Sequence, residues 1–108
     1  MEDSQIIRRL LEQGTLLFDG ATGTALHAQK EDGEPVERLC LRSPQCVLKL
    51  HQAYLAAGCQ AIKTNTFAAH VSLACENEEQ QREVILAAWA LARRAAQGYQ
   101  AAVFADIG

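Results

Sequence analysis

The sequence predicts an α/β chain in which parallel strands are joined by helices. Three observations predict it. Short apolar runs at Thr15–Phe18, Gln60–Thr64 and Ala101–Ile107 are bounded by glycine or polar residues, which suits buried strands better than helices. The longer segments between them place apolar residues at helical spacing. Strands and helices therefore alternate, and that order calls for right-handed crossovers and a parallel sheet.

The elements follow in order. Ser4 to Gln13 reads as an amphipathic helix with Ile6, Ile7, Leu10 and Leu11 on one face, Ser4 as its cap and Gly14 as its end. The first strand, Thr15-Leu16-Leu17-Phe18, stops at Asp19-Gly20. Residues 20–42 carry Gly20, Gly23, Gly33, Pro35 and the charged Lys30-Glu31-Asp32 cluster, which predicts a long loop with one helical turn; loops of that length are usually functional or mobile. Ser43-Pro44 then sets an N-cap and a proline at the first helical position. Val47, Leu50, Tyr54 and Leu55 carry that helix, and Gly58 closes it. The second strand ends in Asn65-Thr66, and a further helix is expected over Ala68–Cys75. Asn77 caps a long helix with Glu78 and Glu79 at its positive end and Arg93 and Arg94 at its negative end. Val84, Ile85, Ala88, Trp89 and Ala92 are its expected buried stripe, and Gly98 its stop. The third strand reaches Gly108. A third parallel strand needs a covering helix and a neighbour, so the expectation is an α/β unit truncated after its third strand.

Composition narrows the function classes. A net charge of -3 supplies no basic face for nucleic acid and no polybasic segment for an anionic membrane. No stretch reaches the roughly 20 apolar residues that span a bilayer, and Met1-Glu2-Asp3-Ser4 is too acidic for a secretory signal. A cytoplasmic location is expected. Cys40, Cys46, Cys59 and Cys75 form no Cys-x-x-Cys pair, so reduced thiols packed as small hydrophobes are expected rather than disulfides.

Chemistry is expected at the carboxyl ends of the strands, where parallel α/β folds bind ligands. Asp19-Gly20-Ala21-Thr22-Gly23-Thr24, Thr64-Asn65-Thr66-Phe67 and Asp106-Ile107-Gly108 are small, polar or glycine-rich. Asp19 can hold an ammonium group, while Gly20 and Gly23 let backbone N–H groups face a carboxylate. An amino acid offers both charges. The plainer reading is an Asp-Gly turn ahead of a helix capped by Thr22 or Thr24. Asn65 can bind substrate or satisfy loop carbonyls. Tyr54 reads as core, and His51 as a solvated or capped side chain rather than a base. His27 and His70 stand isolated, and no His, Cys and carboxylate trio has zinc spacing.

At these residues the sequence resembles the homocysteine S-methyltransferase domain. The likeness runs through Leu16-Leu17-Phe18-Asp19-Gly20-Ala21-Thr22-Gly23-Thr24, Glu37-Arg38-Leu39-Cys40-Leu41, Ser43-Pro44, His51-Gln52-Ala53-Tyr54, Ala57-Gly58-Cys59 and Thr64-Asn65-Thr66-Phe67, and ends at Asp106-Ile107-Gly108. Each piece is weak alone, and their order makes the set specific. The resemblance implies a (β/α)8 TIM barrel of roughly 250 residues, of which residues 1–108 would be the N-terminal portion, about three β/α units. It implies methyl transfer to zinc-activated homocysteine, giving methionine, from methylfolate through cobalamin, betaine or S-methylmethionine. The bacterial proteins that fuse this domain to a methylenetetrahydrofolate reductase look most similar. By the family pattern Asp19 engages the homocysteine amino group, the amides of Gly20 to Thr24 lie near its carboxylate, and Asn65 with Thr66 belongs to the same rim.

The sequence also departs from the pattern. Thr22 stands where Met is common, and Ala68 and His70 replace Gly and Asn. The family's zinc cysteines lie in later strands, so none of the four cysteines here inherits that role. The resulting expectation is a homocysteine-binding piece that is inactive alone. The rival is a non-catalytic module that self-associates through its open sheet edge. A small flavodoxin-like domain fits less well, because three strands and no Gly-rich phosphate loop are present.

Overall fold

The computed structural model describes residues 3–14, 16–67, 69 and 75–106. Helix α1 covers Asp3–Glu12 and gives way to Gly14, whose φ of +97° turns the chain out of the helix. The apolar run after it lies beside the second strand as expected. It makes a single parallel bridge, Phe18 to Ala61, rather than a regular strand. Gln60 and Ala61 amides donate to the Leu17 carbonyl at 2.8 and 3.2 Å, and the Asp19 amide donates to the Ala61 carbonyl. The Leu17 amide instead donates to the Gln60 side chain at 2.9 Å, which interrupts the ladder. Thr15 lies outside the described residues.

The segment 20–42 is more helical than its glycines and charges predict. It contains α2 (Thr22–Leu26), 3₁₀ turns at His27–Gln29 and Val36–Arg38, and α3 (Leu39–Arg42). These pieces are too short to stand alone; tertiary contacts hold them. Leu26 and Leu39 are buried in the core. Arg42 ties the loop back on itself, donating to Glu34 at 2.6 Å and to the Gln29 carbonyl at 2.9 Å.

Helix α4 covers Pro44–Ala56 with proline in its first turn. Ser43 does not cap it through its side chain; the hydroxyl lies 3.1 Å from the Cys46 thiol. The C-terminus is a Schellman closure, with the Cys59 amide donating to Tyr54 and Gly58, at φ +111°, donating to Leu55. Strand β1 (Ala61–Lys63) pairs in parallel with β2 (Ala102–Phe104), Ala61 opposite Ala102 and Lys63 opposite Phe104. The expected helix at 68–75 falls almost wholly outside the described residues.

Helix α5 covers Glu78–Ala96, and the Asn77 side chain accepts from the Gln80 amide at 2.8 Å as its cap. Its buried stripe is Val84, Ala88, Leu91, Ala92, Ala95 and Ala96. Ile85 and Trp89, expected inside, are 42% and 38% exposed. Alanines take the core side and let α5 lie close to α4, while Arg93 stacks 6.0 Å over the Trp89 ring. After Gly98 the chain turns through Gln100, at φ +52°, into β2.

The alternation within each strand divides the sheet. Ile62 and Val103 join the main core with Leu26, Leu39, Val47, Leu55 and Ala92, under α4 and α5. Ala61 and Ala102 face the other way and pack on Ile6, with Ile7, Leu10, Leu16 and Phe104 around them. The architecture is thus mixed α/β, a small parallel sheet covered by helices on both faces. Among the described residues no helix is long and apolar enough to cross a membrane.

Candidate functional site

The carboxyl ends of the strands open onto a cleft of about 630 Å³. Gly20, Ala21, Thr22, Gly23 and Thr24 form one side, and Thr64 and Asn65 the floor. Val36, Glu37, Lys63, Phe67, His27 and Asp106 complete the lining.

Asp19 sits just beneath this lining, only 6% exposed. Its Oδ2 accepts from the Lys63 amide at 3.2 Å. Its Oδ1 lies 3.4 Å from Lys63 Nζ, near enough for charge pairing, without a hydrogen bond of its own. The carboxylate is thus fixed by the strand that follows the site, and its charge is opposed by a lysine that reaches the cleft. Gly20 allows this close packing: a Cβ there would lie 2.9 Å from the Tyr54 hydroxyl.

Asn65 is buried, and its amide donates to the Val36 carbonyl at 2.9 Å and approaches the Cys40 thiol at 3.6 Å. It latches the loop wall onto the strand end while facing the cleft. Thr66 does not line the cleft. Its hydroxyl donates to the Asp106 carbonyl at 2.7 Å and sits 2.8 Å from the Thr64 hydroxyl, to which the Asp106 amide donates at 3.2 Å. These bonds lock the ends of β1 and β2 together as a floor.

The structure therefore brings Gly20 to Thr24 and Asn65 into one cleft, with Asp19 and Thr66 as supports behind it. Asp106, at the third strand end singled out from sequence, lines the cleft, while two further charged groups of the lining, Lys63 and Glu37, have no counterpart among the candidate site residues. A lysine ending an apolar strand and a Glu ahead of two buried residues were the available signals. His27 is also brought to the cleft, although it stands isolated in sequence. His51 corrects the expectation of a solvated side chain: it is 0% exposed, because it lies between Val47 and Leu55 on the inner face of α4. Burial pushes its pKa below the ordinary value, and the Asp19 charge pulls the other way.

A cation beside two carboxylates suits a zwitterion. The cysteines do not suit zinc. Cys40 is buried against Asn65, and burial pushes its thiol up to about 11 despite that contact. Cys59 donates to the Phe18 carbonyl at 3.4 Å, and Cys46 is engaged with Ser43. Among the described residues no three His, Cys, Asp or Glu side chains converge on a metal position.

The model of the homocysteine S-methyltransferase family matches residues 16–108. The chain belongs to that family. Its fold is also similar to that of the homocysteine methyltransferase MmuM from Escherichia coli in its metallated form, with a TM-score of 0.79 and 24% sequence identity. The match covers 95% of this chain and 41% of that one, so the chain spans about two fifths of the length of the structure it resembles. In homocysteine S-methyltransferase terms, the segment described here carries the first strand ends and no set of metal donors.

Proposed function

We propose that this chain supplies the homocysteine-binding rim of a homocysteine S-methyltransferase (β/α)8 barrel, and that residues 1–108 are part of that domain. The observation that carries the reading is the cleft at the strand ends, where Gly20 to Thr24 and Asn65 face one another across Lys63, Glu37 and Asp106. Homocysteine presents an ammonium, a carboxylate and a thiol. Asp19 and the lining carboxylates favour its ammonium, Lys63 and the Gly20–Thr24 backbone its carboxylate. That leaves the thiol directed to the open side of the cleft. In the intact family enzyme methyl transfer to that sulfur gives methionine, with a donor that these residues do not specify. Zinc would lower the thiol pKa when bound, but its ligands are not among the residues described here, so binding without turnover is the activity assigned to this chain. A cytoplasmic setting belongs to the same reading, and the free state of all four cysteines suits it.

The test is thermal unfolding with and without millimolar homocysteine. A cooperative melt that rises with ligand is expected, because ligand at about a hundred times its Kd stabilises the native state by roughly 2.7 kcal/mol. Asp19→Asn should abolish that rise. A melt unmoved by homocysteine, or a rise that Asp19→Asn leaves intact, overturns the assignment.

A second reading concerns the sheet edge. Among the described residues β2 has β1 on one side and no strand on the other, and such an edge is a template for pairing with another chain. Light scattering on a size-exclusion column decides it: a strictly monomeric folded species removes edge pairing.

A further inference from the structure

Helix α4 turns Val47, Leu48, His51 and Leu55 to the interior. Three of these are apolar, and His51 is the exception. It is fully buried, and neither Nδ1 nor Nε2 has a hydrogen-bond partner. The other buried side-chain atom without one, among the described residues, is Asp19 Oδ1. One turn along α4 the Tyr54 hydroxyl meets Gly20, the residue that follows Asp19. This stretch of α4 therefore underlies the Asp19–Gly20 turn, and the unpartnered atoms belong to one neighbourhood.

The groups around the imidazole are few in kind. Asp19 acts on it electrostatically, and Lys63 on β1 opposes Asp19. Tyr54 lies one turn on, and α3, which packs on α4, has Cys40 buried. Helix α5 turns Val84, Ala88 and Leu91 to the core, and α2 turns Leu26. A buried imidazole without a partner resists protonation, because the charged form loses its hydration. Among the described residues the negative group that acts on it is Asp19, beneath the rim.

We propose that His51 is a positioning residue for Asp19. Neutral His51 leaves the carboxylate to Lys63 and to the rim. Protonated His51 takes Asp19 as its counter-ion and draws the carboxylate back from Lys63, taking from the rim the charge that Asp19 supplies. The coupling is reciprocal: whatever holds Asp19 at the rim keeps the proton off His51. Only the ligand arm below rests on the homocysteine reading.

The experiment is an NMR titration of the histidine ring resonances in the full chain, with His51 assigned by its loss in His51→Gln. His51 is expected to titrate below its ordinary 6.5. Lys63→Ala, which frees Asp19 for His51, should raise the midpoint by about half a unit, and Asp19→Asn should lower it by about as much. If Asp19→Asn does not fold, Lys63→Ala alone decides, and a midpoint unmoved by it overturns the coupling. In the ligand arm, homocysteine affinity should fall by about two- to fourfold from pH of roughly 7.5 to roughly 5.5, and should lose that fall in His51→Gln. An identical acid limb in the variant overturns the positioning role. Absence of homocysteine binding at every pH overturns the functional reading, while the titration arm still judges His51.

Discussion

The Tyr54 hydroxyl lies 2.9 Å from the point that a Cβ on Gly20 would occupy, with two ring carbons at 3.4 Å. Gly20→Ala must therefore displace the ring or the turn. Overpacking of this kind costs about 1–3 kcal/mol. Gly23→Ala meets only the Val36 side chain, at 3.7 Å, and lies within α2, where alanine gains up to about 1 kcal/mol over glycine. Urea unfolding should separate the two variants in sign. In a Tyr54→Phe background the Gly20→Ala cost should fall by about half, since the closest atom is gone. Equal costs for both glycines would refute this packing.

The two long helices begin differently, and their caps should differ in energy. Asn77 caps α5 with a side-chain bond, so Asn77→Ala should cost about 1 kcal/mol. Ser43 makes no such bond to α4, so Ser43→Ala should stay within about 0.5 kcal/mol of the parent. Chemical denaturation measures both.

Asn65 and Cys40 report on the loop wall. Asn65→Ala removes the side-chain donor to the Val36 carbonyl, which keeps the Leu39 amide, so the cost is that of one hydrogen bond, about 0.5–1.5 kcal/mol. Cys40, buried and with its thiol pushed up to about 11, should resist alkylation at neutral pH in the parent. In Asn65→Ala its labelling, followed by mass spectrometry, should accelerate relative to that of Cys59. An unchanged rate would mean that the loop is held elsewhere.

His51 sets a pH dependence of stability. Its pKa is lowered in the folded state, so the unfolded chain binds the proton first. This contribution is complete above the ordinary value of 6.5 and is lost as pH falls through the lower, native midpoint. His51→Leu removes both orphaned nitrogens and should raise stability by about 1–2 kcal/mol at mildly acidic pH. Its melting temperature should also vary less than the parent's between neutral pH and pH of about 5. A parent curve that is flat over this range would show that His51 keeps a partner.

The β/α order was legible because its punctuation is local. Pro44, Gly58 and Asn77 mark ends by backbone geometry or a single hydrogen bond, and each does so in the fold. Residues 20–42 were misjudged because their helical pieces depend on remote contacts: Leu26 and Leu39 reach the core, and Arg42 reaches Glu34. The buried stripe of α5 was misplaced by choosing large side chains, whereas close approach to α4 favours alanines over Ile85 and Trp89. In the site, Gly20 to Thr24 and Asn65 were legible as strand ends with special backbone or amide chemistry. Asp106 was legible as a strand end too; Lys63 and Glu37 were not, since a lining is set by how separate segments are juxtaposed. The burial of His51 was hidden for the same reason.

Helix α1 lies over Ala61 and Ala102, against the residues that lead into the two strands, Gly58 to Gln60 and Tyr99 to Gln100. One methyl group per strand is what lets the helix seat there. It works as a stopper: on that face the sheet is shut where its strands begin and open where they finish. Traffic to Lys63 and the rim is therefore one-ended, and any strand added to the sheet must slide in alongside β2 rather than across this plugged face.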